Sequence, residues 1–184
     1  MNNGILIASD IHGSAYYCEK LVRTFTEFEA EKLLLLGDIL YHGPRNVLPK
    51  GYDPMRCAEI LKPISEKIVC VKGNCDAEID EMVLGFSMIP GYAKLIYGKR
   101  NIYAAHGHTY GPDKLPPMDC GDILFYGHFH APAFKAENGI YILNPGSVAI
   151  PKEGSPCSCI LLQEDRVHWI DLDSFKEYRA EQIV

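Results

Sequence analysis

What the sequence lacks narrows it first. Its 184 residues contain no basic tail or block: 18 Lys and Arg stand against 24 Asp and Glu, a formal net charge of −6. Bulk electrostatics therefore give no footing for non-specific binding to nucleic acid, and an anionic partner has to be attracted locally. There is no internal repeat, low-complexity tract or linker, so one domain spanning 1–184 is expected, large enough for a core of useful size. The opening stretch MNNGILIASD has no basic n-region, and its apolar run is too short for a signal sequence or a membrane span. The seven cysteines (18, 57, 70, 75, 120, 157 and 159) are odd in number and scattered, several of them within apolar runs. They read as reduced, mostly buried thiols of a cytoplasmic protein rather than a disulfide framework. Cys157 and Cys159 have no second cysteine pair at zinc-finger spacing, and read as same-face residues of a strand.

What is present is a change of character halfway along. In the first half, short apolar runs alternate with amphipathic segments. GILIAS (4–9), 32–36 and 68–71 read as strands buried on both faces. Between and after them, helices are expected over 14–28 with Ser14 as N-cap, over 53–65 with Asp53 as N-cap and Pro54 at the first position, and over 76–86. On the last, Ile79, Met82, Val83 and Phe86 form the apolar set, and Asp76 reads as its cap in preference to a contact supporting the site. The second half reads as short strands at 92–97, 101–105, 123–126, 140–143, 158–162 and 167–172, with turns between them. Two face-to-face sheets with helices outside follow, a single-domain α/β sandwich.

The chemistry lies at the strand ends. Six apolar runs end on polar residues of ligand type: Asp10 and His12; Asp38; Asn74; His106; His128 and His130; and Asn144. In open α/β sheets that carboxyl-end rim is where ligands bind. Asp10 and His12 are two residues apart, as are His128 and His130, so an extended backbone would aim each pair the same way. One Asp-x-His, or one Gly-Asp after a strand, means little; this many, in order and each at a strand end, points to a metal centre. Asp10, His12, Asp38, Asn74, His106, His128 and His130 are too many ligands for one ion with an open position. They suit two divalent ions about 3.5–4 Å apart, bridged by the two oxygens of Asp38. Two such ions with two carboxylates leave a local charge near +2, which binds phosphate inside an acidic protein. A water between them would be hydroxide near neutral pH and suited to in-line attack on phosphorus.

The motifs Asp10-x-His12, Gly37-Asp38, Gly73-Asn74-x-Asp76, His106-Gly107 and Gly127-His128-x-His130 resemble the five ordered motifs of the calcineurin-like metallophosphoesterases. Asn144-Pro145-Gly146-Ser147 is similar to a signature of their small bacterial and archaeal phosphodiesterase branch. The resemblance implies a four-layered α/β/β/α sandwich of two mixed sheets flanked by helices. It implies one ion on Asp10, His12, Asp38 and His130 and the other on Asp38, Asn74, His106 and His128. It also implies a small phosphodiester substrate, a homodimer or homotetramer, and Mn²⁺. The ligand mix suits Mn²⁺ and leaves Fe²⁺ or Zn²⁺ open. The chain departs from the family at Cys75, where a histidine usually protonates the leaving group.

Cys75, His108 and Arg45 are therefore the candidates for work on the substrate. A thiol nucleophile at Cys75 would want a histidine partner, and the nearby histidines are better used on metal. His108 is a candidate proton donor. Arg45, with His42 in the same loop, is a candidate phosphate clamp, set against a solvated loop arginine. Asn144 and Ser147 are expected to brace the metal loops. The proline-stiffened loop 107–122 is expected to wall the site, and His168 and Trp169 to lie in the core or an interface. A phosphomonoesterase or protein phosphatase on the same scaffold would want more positive charge than Arg45 supplies. A non-catalytic interaction module would depart at the ligand positions, and none is missing here.

Overall fold

The computed structural model describes residues 4–184. Its first sheet has seven strands: β1 (Ile5–Ala8), β2 (Lys32–Leu35), β3 (Ile68–Val71), β4 (Met88–Ile89), β10 (Ser158–Gln163), β11 (Arg166–Asp171) and β12 (Lys176–Gln182). They run in the order β12-β11-β10-β1-β2-β3-β4. β1 to β4 are parallel, and the antiparallel β10–β12 extend the other side. The second sheet joins β5 (Tyr92–Tyr97), β6 (Arg100–Ala105), β7 (Ile123–Tyr126), β8 (Pro132–Glu137) and β9 (Ile140–Pro145) in the order β5-β6-β7-β9-β8. β6, β7 and β9 are parallel, and both edges are antiparallel.

The apolar runs are split by their period of two. In β1, Ile5 and Ile7 face the second sheet with Leu34, Leu36, Ile102, Phe125, Leu143 and Trp169, while Leu6 and Ala8 face the helices. Those helices are α1 (Ala15–Glu27), α2 (Pro54–Leu61) and α3 (Glu78–Leu84). Ser14 and Asp53 cap the first two as expected, each accepting a hydrogen bond from the backbone N–H three residues on. α2 stops at Leu61 and tightens into a 3-10 turn over Lys62–Lys67, because Pro63 has no N–H to continue the helix.

Helices cover only the outer face of the larger sheet. On the smaller sheet the outer layer is the 107–122 segment, whose Tyr110 and Met118 pack on Tyr103, Leu124, Tyr126 and Ile142, and whose Pro117 carbonyl accepts from the Tyr103 hydroxyl. Three prolines keep that layer from becoming helical. Trp169 is core, its indole N–H donating to the Asn144 carbonyl at 2.9 Å; His168 faces outward and pairs with Glu177. Cys157 and Cys159 do lie on one face, under the helices, and all seven cysteines are free. Three strands escape the sequence reading. β4 is two residues long, β12 is largely solvated, and β8 ends in the Asn138-Gly139 hairpin turn, with both φ angles positive. Val83 of α3 and Phe86 just beyond its end pack inward, but Ile79 and Met82 stand exposed, since a helix this short at the domain edge buries a narrow stripe. Among the described residues no helix is long and apolar enough to cross a membrane.

Candidate metal centre

The parallel strands of both sheets end on one rim, and there the chain does not run extended. Asp10, His12, Asp38, His128 and His130 all take left-handed backbone conformations, with φ between +49° and +68°. For residues with a Cβ this costs about 1–2 kcal/mol each. The extended geometry expected for Asp-x-His and His-x-His is thus replaced by tight turns, and the side chains converge by curling. Glycines let the backbones approach: a Cβ at Gly73 would lie 2.1 Å from Asp38 Oδ1, and one at Gly127 would lie 1.8 Å from Ser9 Oγ.

Three histidines have their far nitrogen tied to a backbone carbonyl. Nδ1 of His12 meets Tyr41 O at 2.8 Å, that of His106 meets Leu36 O at 2.7 Å, and that of His130 meets Ile150 O at 2.7 Å. A carbonyl can only accept, so each Nδ1 carries the proton and each Nε2 is turned inward for a ligand. Inside, Nε2 of His12 and His130 face each other at 3.3 Å, and the Asp10 Oδ1 lies 3.6 and 3.3 Å from them. That oxygen is buried and has no hydrogen-bond donor, while the other accepts the His128 N–H at 3.0 Å. His106 Nε2 faces the Asn74 Oδ1 at 2.9 Å and the Asp38 Oδ2 at 3.4 Å.

Lone pairs aimed at one another across about 3 Å, with an orphaned carboxylate oxygen between two of them, fit a cation. The sets Asp10–His12–His130 and Asp10–Asp38–His106 each bring their ligand atoms within 4.8 Å of one another. Asp38 stands between the two groups, its Oδ2 also 3.8 Å from His12 Nε2. Its Oδ1 accepts the Cys75 N–H at 2.8 Å, which fixes the orientation of the carboxylate. His128 completes the cluster, its ring 5.2 Å from that of His106.

Without metal, protons take the cations' place. Burial pulls His106 down, but Asp38 and Asp10 outweigh it and push it up to about 9. His12 moves up for the same reasons. Burial raises both Asp10 and Asp38, and their histidine neighbours overrule it, so both end below the usual carboxylate range. His128 and His108 are lowered, by burial and then by His106.

Behind this cluster Asp76 does more than cap a helix. Its carboxylate accepts from the N–H groups of Asp38 (2.8 Å), Ile39 (2.8 Å) and Gly73 (2.7 Å), clamping the ends of β2 and β3 together. The cap position of α3 falls to Ala77, whose N–H donates to Asp80 at 2.9 Å. Asn144 donates to Gly127 O at 2.9 Å, and Ser147 donates to Asp10 O at 2.8 Å while accepting from Ala149 and Ile150, the bracing expected of them.

A cavity of about 890 Å³ opens over His12, Asp38, Asn74, His128 and His130. Arg45 and Cys75 line it. So do Tyr41, Phe129 and Lys152; Tyr41 and Lys152 stand in loops that share the family resemblance, but the sequence assigned none of the three a role. The Cys75 thiol is half-buried and pushed up to about 12 by burial and by Asp38, so it stands protonated. His108 is exposed, its ring 5.3 Å from that of His106, and is not part of the cavity lining. Nor is His42, packed edge-on between Tyr41 and Tyr52. Loop 107–122 also stays away from the lining, because its apolar side chains are used on the sheet face.

A two-sheet sandwich with an Asp, His and Asn cluster on its rim defines a metallophosphoesterase. The chain belongs to the calcineurin-like phosphoesterase superfamily, whose domain matches residues 4–166. It is 41% identical to the phosphodiesterase YfcE of Escherichia coli over 169 residues, 92% of each chain. The solved structure of YfcE, a phosphoesterase, superposes with a TM-score of 0.94 over 98% of this chain and 99% of that one. The probable metallophosphoesterase YsnB of Bacillus subtilis is 28% identical over 155 residues, 80% of this chain and 76% of its own. Vacuolar protein sorting 29 from Cryptosporidium parvum shares the fold, with a TM-score of 0.59 at 22% identity over 97% of each chain.

Proposed function

We propose that the chain is a metal-dependent phosphodiesterase acting on small phosphodiesters through a dinuclear centre. The observation that carries this is the pair of facing imidazole nitrogens with the orphaned Asp10 oxygen between them, on a chain 41% identical to a named phosphodiesterase. Asp10, His12, Asp38 and His130 would hold one ion, and Asp38, Asn74, His106 and His128 the other. The donor set of carboxylate, amide and imidazole suits Mn²⁺. Two divalent ions there would supply charge stabilisation for the phosphoryl oxygens and a hydroxide nucleophile at neutral pH.

This chain's own groups do the rest. Backbone carbonyls fix the imidazole tautomers, Asp76 fixes the loops, and Arg45 stands in the cavity within reach of substrate oxygens. Cys75, protonated and neutral, is a poor substitute for an imidazolium donor, so leaving groups that need no proton are cleaved best. His108 supplies a proton only to a leaving group that extends beyond the cavity. Free, mostly buried thiols support a reducing, cytoplasmic setting. A homodimer or homotetramer is supported by the branch resemblance alone. The test is to load metal-stripped protein with Mn²⁺ and compare bis(4-nitrophenyl) phosphate with 4-nitrophenyl phosphate. Faster release from the diester is expected; release only from the monoester makes the chain a monoesterase, and release from neither removes the enzymatic reading.

A further inference from the structure

The cavity holds more positive charge than a simple diester needs. Arg45 and Lys152 both line it, both are exposed, and neither has a carboxylate partner among the described residues. Other unpaired cations lie elsewhere on the surface; what sets these two apart is that both line the cavity over the metal-ligand cluster.

Nor are these two on idle loops. His12 Nδ1 donates to Tyr41 O, at the start of the turn that carries Arg45, and Asn46 closes that turn by donating to His42 O at 2.8 Å. His130 Nδ1 donates to Ile150 O, and His130 O accepts the Lys152 N–H at 3.0 Å. The Ser155 hydroxyl then donates to Lys152 O at 2.7 Å, fixing the next turn. The two imidazoles that flank Asp10 therefore anchor the loops that carry both cations.

A metal centre near +2, once it carries the hydroxide nucleophile, already balances the single charge of a phosphodiester. Two further unpaired cations beside it add repulsion unless the ligand brings another anion. The guanidinium fork of Arg45 and the flexible ammonium of Lys152 suit a tetrahedral phosphate, and the cavity is in the size range of sites that enclose whole small molecules. Building on the diesterase reading, we infer that the cavity takes phosphodiesters bearing a second phosphate on one ester arm, and that Lys152 together with Arg45 holds that phosphate while the metal centre holds the diester.

Two probes with one leaving group test this: the 4-nitrophenyl ester of thymidine 5′-phosphate, and the same ester carrying a 3′-phosphate. Mn²⁺-loaded enzyme is expected to prefer the second, through KM, by about tenfold. Lys152→Gln should reduce that preference, Lys152→Glu should reverse it, and Lys152→Arg should keep it. Calorimetry of the same loaded proteins with thymidine 3′,5′-bisphosphate against thymidine 5′-phosphate gives a readout that needs no turnover, with the bisphosphate bound about tenfold tighter in the wild type only. Equal KM and equal affinity for the two members of each pair, or a preference indifferent to Lys152→Glu, overturns the inference while leaving the diesterase reading intact. Faster cleavage of 4-nitrophenyl phosphate than of either diester also overturns it, since the cations would then serve the scissile phosphate itself. If neither diester is cleaved, the diesterase reading falls and the calorimetry alone decides between a second phosphate site and none.

Discussion

The two sheets contribute to the rim differently. The seven-stranded sheet supplies every oxygen donor of the proposed ligand set, Asp10, Asp38 and Asn74, with one imidazole, His12. The five-stranded sheet supplies imidazoles alone, His106, His128 and His130. One side carries the negative charge and the other carries imidazoles alone, so the five-stranded sheet by itself would hold a hard divalent ion poorly. Of the contacts at 3.3–3.8 Å, His106–Asp38 and His130–Asp10 cross this divide, while His12 meets Asp10 and Asp38 within the seven-stranded side. The cover differs too. The oxygen-bearing sheet is backed by three helices, and the imidazole-bearing one by a loop with prolines. Metal would therefore join a well-braced half to a lightly covered one.

The largest effect should come from breaking the meeting point. Asp38→Asn should lower diester turnover by on the order of 10²–10³ and reduce bound metal, as read by elemental analysis beside a bis(4-nitrophenyl) phosphate assay. A variant with two ions and normal turnover would show that the sheets are not joined through Asp38.

Next is removal of the join itself. Stripping the metal should lower Tm by roughly 5–10 °C relative to metal present at a hundredfold above its Kd. The gap should widen with pH. The folded metal-free chain holds a His106 proton up to about 9, whereas the unfolded chain releases it near 6.5. The stability that proton confers is complete below about 6.5 and is lost as pH rises through about 9. Metal needs the same nitrogen unprotonated, so its affinity rises over that window. A calorimetric gap that shrank between pH 6.5 and 9 would contradict this.

Asp76→Ala probes the better-braced side alone. It leaves three buried N–H groups without their acceptor and should cost about 2–4 kcal/mol, with metal binding weakened as a consequence. Urea unfolding of metal-free protein measures the first part, and an unchanged midpoint would remove Asp76 from its bracing role.

The smallest effect belongs to Cys75→Ala, on a residue whose backbone serves Asp38 but whose thiol carries no proton chemistry. Turnover of an aryl diester should stay within about tenfold, and Cys75→His should help alkyl leaving groups more than aryl ones. Abolished aryl cleavage with intact metal would make the thiol a catalyst.

Much of this was legible in the sequence because polar residues after apolar runs are rare enough to be noticed together. The positions of Asp10, Asp38, Asn74, His106 and His130 around one rim follow from β1, β2, β3, β6 and β7 being parallel within their sheets. Asp76 was misread because a carboxylate before a helix normally caps it, and the competing acceptor role depends on two strand ends meeting in space. Lys152 had no role legible in the sequence, because nothing local says which way a loop lysine faces. The wall expected of 107–122 failed because periodicity does not reveal that Tyr110 and Met118 are claimed by the sheet behind. Strand β8 carried a readable signal, Asn138-Gly139, that a search for apolar runs passes over.

The left-handed backbone at residues 10, 12, 38, 128 and 130 has a consequence for descent. Each is a place where glycine or asparagine would fold more easily than the ligand that stands there. If selection for chemistry relaxed, drift at these positions would run downhill in folding free energy while the sandwich stayed intact. The scaffold is thus biased towards outliving its own active site, and ligands retained at all five positions are a record of continued use.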